Sequence, residues 1–229
     1  VLAAELRRHG IKLLGSTIVG LEHHTPENMR EEIEHAVSHG TDFHQFMLYT
    51  PVPGTPLYSE MEEQGRMLDG VDLADIHGQF KFNFRHAAIS REESKKFLDW
   101  AFWRDFEQNG PSIFRICETM LQGWKRYKNY PDPRVRDRFR WEMAQLKITY
   151  NAALWAMEKR LRNANESVAK QIRELRKEVE REFGMKARLS RLGLGPVLLW
   201  ASKREDRRLA RGITYEPRTF IERRNWVEA

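Results

Sequence analysis

Apolar and polar positions follow three rhythms along this chain: continuous apolar runs, a helical period and a period of two. From Lys12 to Gly20 (KLLGSTIVG) the apolar residues run almost continuously, the pattern of a strand covered on both faces. Thr41 to Thr50 (TDFHQFMLYT) predicts a second strand, rich in aromatic residues. Between them Met29, Ile33, Ala36 and Val37 recur at steps of three and four, which predicts a helix. That helix opens with Thr25 as N-cap, Pro26 at its first position and Glu27 in its first turn, and Gly40 ends it. One helix, stopped by Gly10, precedes the first strand, and a short one from Thr55 to Gln64 follows the second. Alternation of helix and strand with short loops is the grammar of a parallel α/β sheet or barrel. Two strands cannot bury both faces or close their edges, so residues 1–65 read as a unit incomplete by itself.

The rhythm then shifts to period two in Phe80, Phe82 and Phe84, within a connector spanning 66–90. It predicts an extended segment that lays one aromatic face on the rest of the protein. From residue 91 the period is helical. Ser90-Arg91-Glu92-Glu93 fits a capping box opening a helix to about Asn109. Gly110-Pro111 breaks the chain, and a second helix is expected from Ser112 to Tyr127. Val135, Phe139, Met143, Leu146, Tyr150, Leu154, Met157 and Leu161 continue the helical pattern. After a break at 163–167, Val168, Ile172, Leu175, Val179 and Phe183 carry it to Gly184. Residues 91–184 thus read as a helical accessory domain. Past Met185 the pattern weakens, and 185–229 is expected to be a weakly structured tail.

Charge follows the same division. Residues 1–90 carry a net charge of −6 and residues 91–229 a net charge of +12. All eight histidines lie between His9 and His86, and all seven tryptophans between Trp100 and Trp226, so two structural units are expected. The lone cysteine, Cys117, excludes a disulfide framework and any site built from several thiolates of these residues. There is no signal-peptide pattern and no apolar run long enough to cross a membrane, so a cytoplasmic protein is expected, cut from something longer.

The loop after the second strand carries the most specific motif. Tyr49-Thr50-Pro51-Val52-Pro53-Gly54-Thr55-Pro56-Leu57-Tyr58 resembles the strand-end signature P-x-P-G-T-P-L-Y of radical S-adenosylmethionine (SAM) enzymes. Ile18-Val19-Gly20-Leu21-Glu22-His23-His24-Thr25-Pro26-Glu27, about thirty residues upstream, resembles that family's fifth-strand motif. The resemblance implies an α/β fragment, the last two strands of a partial (β/α)6 barrel, followed by a mostly α-helical domain. It also implies a SAM site in which Ile18 and Gly20 lie beside the adenosyl group and the backbone of Leu48, Tyr49 and Thr50 faces the adenine. Gln45 by one strand parity, or His44 by the other, would reach SAM or substrate. Phe82-Asn83-Phe84-Arg85-His86 and the Gly110-Pro111-Ser112 turn look like the tail of family members that carry a cobalamin-binding domain before the barrel.

For the intact enzyme, the resemblance implies a [4Fe–4S] cluster, an electron donor, a small-molecule substrate and 5′-deoxyadenosyl-radical chemistry. In the cobalamin subgroup that chemistry extends to methyl transfer. The cluster needs three cysteines spaced C-x3-C-x2-C, which would lie upstream of Val1, so these residues alone are not expected to be active. The fifth-strand motif departs from the family's pattern: Ser16 stands where glycine is usual and His23 where glutamate is usual, with Glu22 one place early. That puts a ribose contact by Glu22 in doubt. Pro-Gly-Thr-Pro also has a plainer reading as a turn and helix cap.

Other candidates are weaker. His35 and His39 have zinc-binding spacing on one helix but lack a third ligand. His23 and His24 sit in a strand-end loop, where a local capping role competes with a functional one. His77 and His86 flank the aromatic segment and either close a barrel's open side or satisfy a buried backbone group. Cys117 fits a small core residue better than a nucleophile. The alternative function is a basic helical module that binds RNA or another anionic partner, an anionic membrane surface included, through Arg134, Arg136, Arg138 and Arg140 and later Lys203, Arg204, Arg207 and Arg208, or a helical scaffold. Alternate arginines fall about 200° apart on a helix, so the first four split over two faces and a solvated, internally paired surface is favoured over nucleic-acid binding. Trp141 and Trp155 read as core or interface residues.

Overall fold

A computed structural model describes residues 2–213. The first unit runs α1 (Leu2–Arg8), β1 (Leu14–Val19), α2 (Pro26–Ser38), β2 (Phe43–Leu48) and α3 (Pro56–Glu63). The helical part comprises α4 (Arg91–Asn109), α5 (Ser112–Tyr127), α6 (Pro133–Gln145), α7 (Asn151–Leu161), α8 (Glu166–Phe183) and α9 (Met185–Ala210). A π-helical turn, Leu146–Tyr150, joins α6 to α7. The expected α/β unit followed by helices is therefore present. Among the described residues the sheet has two strands, and no barrel is formed.

β1 and β2 pair in parallel, with Ser16 beside Gln45, Ile18 beside Met47 and Val19 beside Leu48. The α2 crossover supplies the reversal that parallel pairing needs. Its cap is reciprocal: the Asn28 amide N–H donates to the Thr25 hydroxyl, while the Thr25 N–H donates to the Asn28 side chain. Met29, Ile33, Ala36 and Val37 of α2 are buried with Val19, Phe46 and Leu48, and Phe97, Leu98 and Ala101 of α4 complete this core. One face of the sheet is covered. The other presents Leu14, Ser16, Ile18 and Phe43 to solvent, with Gln45 and Met47 half-buried. The expectation of strands covered on both faces is corrected here, because α2 and α4 lie on the same side.

The connector behaves differently from a simple one-sided strip. Phe82 and Phe84 are buried with ring centroids 5.0 Å apart, but Asn83 between them is buried as well. Met67 and Phe84 form an isolated antiparallel bridge that folds 66–68 against 83–85. At the far edge of β2, the Leu48 N–H donates to the Gly78 carbonyl at 2.7 Å.

The helical part has its own core, formed by Phe114, Cys117, Met120, Leu121, Met143, Leu146, Leu154, Ile172 and Val179 among others. Beyond α4, which covers the sheet face, the helices meet the sheet at the N-terminal ends of the strands. Asp42, fully buried just before β2, accepts from the Leu13 N–H at 2.8 Å and from the Thr119 hydroxyl of α5 at 2.6 Å. Arg7 joins this latch, donating to Thr119 at 3.0 Å and to Glu118 at 2.8 Å. Nearby, Gly10 and Gly123 pack backbone to backbone under the Phe139 ring. Between α4 and α5, Arg115 makes a buried bidentate pair with Asp105, both bonds 2.8 Å.

Residues 185–210, expected as part of a weakly structured tail, instead form one helix of 26 residues. Gly193, Gly195 and Pro196 obscure its periodicity in the sequence. Gly195 lets the helix lie against the Trp155 ring, where an added Cβ would come 2.8 Å from Cε3. Asn151 donates to the Ala187 carbonyl at 2.7 Å and Ser190 to the Lys147 carbonyl at 3.1 Å. Packing, rather than propensity, holds this helix. The remainder of the expected tail, 214–229, lies outside the described residues.

Candidate functional site

In-register parallel pairing sets the C-terminal ends of β1 and β2 side by side. The ladder extends one step further, the Tyr49 N–H donating to the Val19 carbonyl at 2.8 Å. Both motif-bearing loops therefore leave the sheet at the same edge, which in parallel α/β folds is where ligands bind. The helical part is latched to the opposite end.

Strand parity separates the candidates. Ile18 and Gln45 lie on the uncovered face, Ile18 being 50% exposed. His44 lies on the covered face, stacked on Phe46 at 4.2 Å, with Nε2 2.8 Å from the Thr17 hydroxyl. Burial pushes its pKa below the ordinary histidine value. Of the two alternatives on β2, Gln45 is the one that faces outward.

Gly20 has φ +81°, a left-handed conformation that favours glycine. An added Cβ would lie 2.3 Å from Cζ of Phe82, so the close approach this glycine permits is made by the chain's own aromatic ring. The Gly20 and Leu21 amides donate to His24 Nδ1 at 3.0 and 3.1 Å. His24 is thus a loop clamp, only 2% exposed, and burial, followed by its neighbour His23, lowers its pKa. His86 Nδ1 accepts from the Ala88 and Ile89 amides, which leaves its Nε2–H to donate to the Leu21 carbonyl at 3.0 Å. Both histidines satisfy backbone, the plainer of their two readings.

The second loop is also built from internal bonds. Leu48 turns its side chain into the core, and its carbonyl accepts from the Thr50 hydroxyl at 2.9 Å. The amides of Leu48 and Tyr49 are occupied by Gly78 and Val19, so those two donors do not face a ligand. Thr55 caps α3, its hydroxyl accepting from the Tyr58 N–H at 3.3 Å, so Pro-Gly-Thr-Pro does serve as a turn and cap. The Tyr49 ring packs edge-on against Phe84 at 6.0 Å. Burial, and then Glu22 and Glu60, raise its hydroxyl pKa. Glu22 pairs with Arg66 at 2.6 Å, and the Arg66 guanidinium sits over Phe84 at 5.6 Å.

Asn83 was not singled out by the sequence. It is 1% exposed, its amide nitrogen donates to the Pro51 carbonyl at 2.7 Å, and its Oδ1 has no partner. A buried acceptor without a donor is costly, and it lies between the two loops' supporting segments. An asparagine inside an aromatic period-two run was the available signal.

No group of three or more His, Cys, Asp or Glu side chains poised to hold a metal occurs among the described residues. His35 and His39 contact each other edge-on at 4.8 Å, and His39 Nδ1 lies 2.8 Å from the His35 carbonyl. Cys117 is fully buried, and burial pushes its thiol pKa strongly upward. A [4Fe–4S] cluster therefore does not fit the residues present. The α6 arginines are engaged locally: Arg134 with Asp132, Arg138 with Glu142 and Arg140 with Asp137, while Arg136 donates to the Tyr130 and Pro131 carbonyls. Trp155 is an interface residue as expected. Trp141, however, is 70% exposed, with Arg138 over its ring at 5.8 Å. No described helix is long and apolar enough to cross a membrane.

The fold defines a class: a parallel β-α-β unit with both loops at one strand end, buttressed at the other by helices. Comparison with protein-family models, with curated proteins and with solved structures finds no match to this chain.

Proposed function

We propose that residues 1–65 form the closing segment of a radical SAM barrel and supply the adenosine side of its SAM site, with the connector 66–90 packed against it. The observation that carries this reading is the uncovered sheet face. Ile18 and Gln45 stand exposed or half-exposed on it, immediately below the two loops whose motifs resemble that family. An aliphatic side chain beside an amide suits a ligand that is flat and apolar on its face and hydrogen-bonding at its rim. On this reading Ile18 contacts the adenine face and Gln45 donates to, or accepts from, a polar rim atom of SAM or substrate. Tyr49, Thr50 and the Glu22–Arg66 pair shape the rim. The cluster and any cobalamin would be held by other parts of the parent enzyme, and the cluster would supply the electron for reductive SAM chemistry there.

The test uses the complete gene product. Its sequence should contain a C-x3-C-x2-C loop before Val1, and the anaerobically reconstituted protein should bind labelled SAM and release 5′-deoxyadenosine. Gln45→Ala should weaken SAM binding up to about tenfold, the range of one neutral hydrogen bond, without lowering the melting temperature. A protein with no such loop, or one that binds iron and sulfide but no SAM, would overturn the proposal.

A further inference from the structure

The long helix α9 carries two faces of different character. One packs on α7 and the π-helical turn through Ala187, Ser190 and Gly195. The opposite face aligns Met185, Leu189, Leu192, Pro196 and Trp200 at steps of three and four, the spacing of one helical stripe. These are large apolar groups held in solvent: Leu192 and Trp200 are each 61% exposed. The same stripe continues into Lys203 and Arg207, with Arg204 beside them and its guanidinium 5.6 Å from the Trp200 ring. The helix holds seven Lys and Arg against two acids, Glu205 and Asp206, and both acids are engaged, by Arg208 and Arg160. Lys186, Arg188, Lys203 and Arg207 make no ion pair among the described residues.

We propose that this face of α9 is an interfacial binding surface for an anionic phospholipid bilayer. Three observations select that occupant. The apolar stripe adjoins unpaired positive charge, which complements an anionic headgroup layer over an acyl boundary. Trp200 is exposed on the stripe with the Arg204 guanidinium over its ring, and tryptophan is enriched at membrane–water interfaces. The helix is too interrupted and charged to cross a membrane, so it lies in the interface plane. Nucleic acid would use the charge but has no need of exposed Leu189, Leu192 and Met185.

The full chain should float with vesicles containing about one quarter phosphatidylserine and remain unbound with phosphatidylcholine alone. Leu192→Ser with Trp200→Ser, and separately Lys203→Glu with Arg207→Glu, should each lower vesicle partitioning at least about tenfold. All four side chains are exposed, so both variants should melt as the parent does. Three results would overturn the proposal. They are absence of binding at low salt, binding that survives the apolar substitutions, and a concentration-dependent dimer that those substitutions abolish in a chain that ignores vesicles. Failure of SAM binding would leave this inference untouched.

Discussion

Gly123→Ala sets two physical effects against each other at the join between sheet and helices. Gly123 lies in the interior of α5, where alanine is favoured over glycine by about 1 kcal/mol. Propensity alone therefore expects a stabilised protein. The structure expects the reverse. A Cβ at this position would lie 2.5 Å from Cε1 of Phe139 and 2.7 Å from the Gly10 Cα. The ring can rotate away, but the Gly10 backbone cannot, because Gly10 holds φ +74° in the turn that leads into β1. Relief requires α1 and the β1 turn to move off α5, straining the Asp42–Thr119 bond nearby. Overpacking of this kind costs about 1–3 kcal/mol, and contacts under 3 Å against backbone place it toward the upper end. After the propensity gain, a net loss of about 1–2 kcal/mol remains. For a chain of this size that lowers the melting temperature by roughly 2–8 °C. Gly193→Ala is the matched control, also helical but with no atom within 4 Å of the added Cβ. It should raise the melting temperature by roughly 2–4 °C. Circular dichroism melts of the two variants decide the matter. If Gly123→Ala melts as high as Gly193→Ala, the close approach of the two units is refuted.

Three further outcomes are expected. The folded-state pKa of His24 lies below the ordinary value of 6.5, so the stability it contributes is complete above that pH and is lost as pH falls through the folded value. Melting temperature should thus decline on acidification, and the decline should be shallower in His24→Asn, whose Oδ1 can accept the same two amides; an unchanged slope would clear His24. Arg115→Met leaves the Asp105 carboxylate buried without its partner and should cost about 3–5 kcal/mol, while adding Asp105→Leu should restore much of that loss in urea denaturation. The buried Cys117 thiol should resist maleimide in the native protein and react on denaturation, so prompt native labelling would contradict its packing.

Much of the secondary structure was legible because each element carries its own punctuation. Thr25, Thr55 and Ser90 accept from the amides they were expected to cap, and Gly10, Gly40 and Gly110 end helices at positive φ. Period alone could not say what covers a strand. KLLGSTIVG reads as doubly buried, yet α2 and α4 share one side, and the sidedness of a crossover is a tertiary fact. Parity was equally hidden: His44 and Gln45 are neighbours with opposite surroundings, separated only by the register with β1. The resemblance sets Gly20 beside an adenosyl group, whereas in the fold a ring 62 residues later makes the close approach there. Helix α9 is hidden in the sequence because Gly193, Gly195 and Pro196 mask the periodicity of a helix that Trp155 and Asn151 hold in place.

The Asp42 latch has a dynamic consequence. Because Asp42 ties the Leu13 amide to Thr119 at the lower end of the sheet, the amides there should open only with the helical core behind them. The loops after Gly20 and Tyr49 have no such anchor in α5–α9; their clamps are the local ones, His24, His86 and Asn83. Hydrogen exchange should therefore grade along the strands, slowest at Leu13 and fastest past Val19. The loop edge is then free to breathe as its own small cooperative unit, on a base that stays closed.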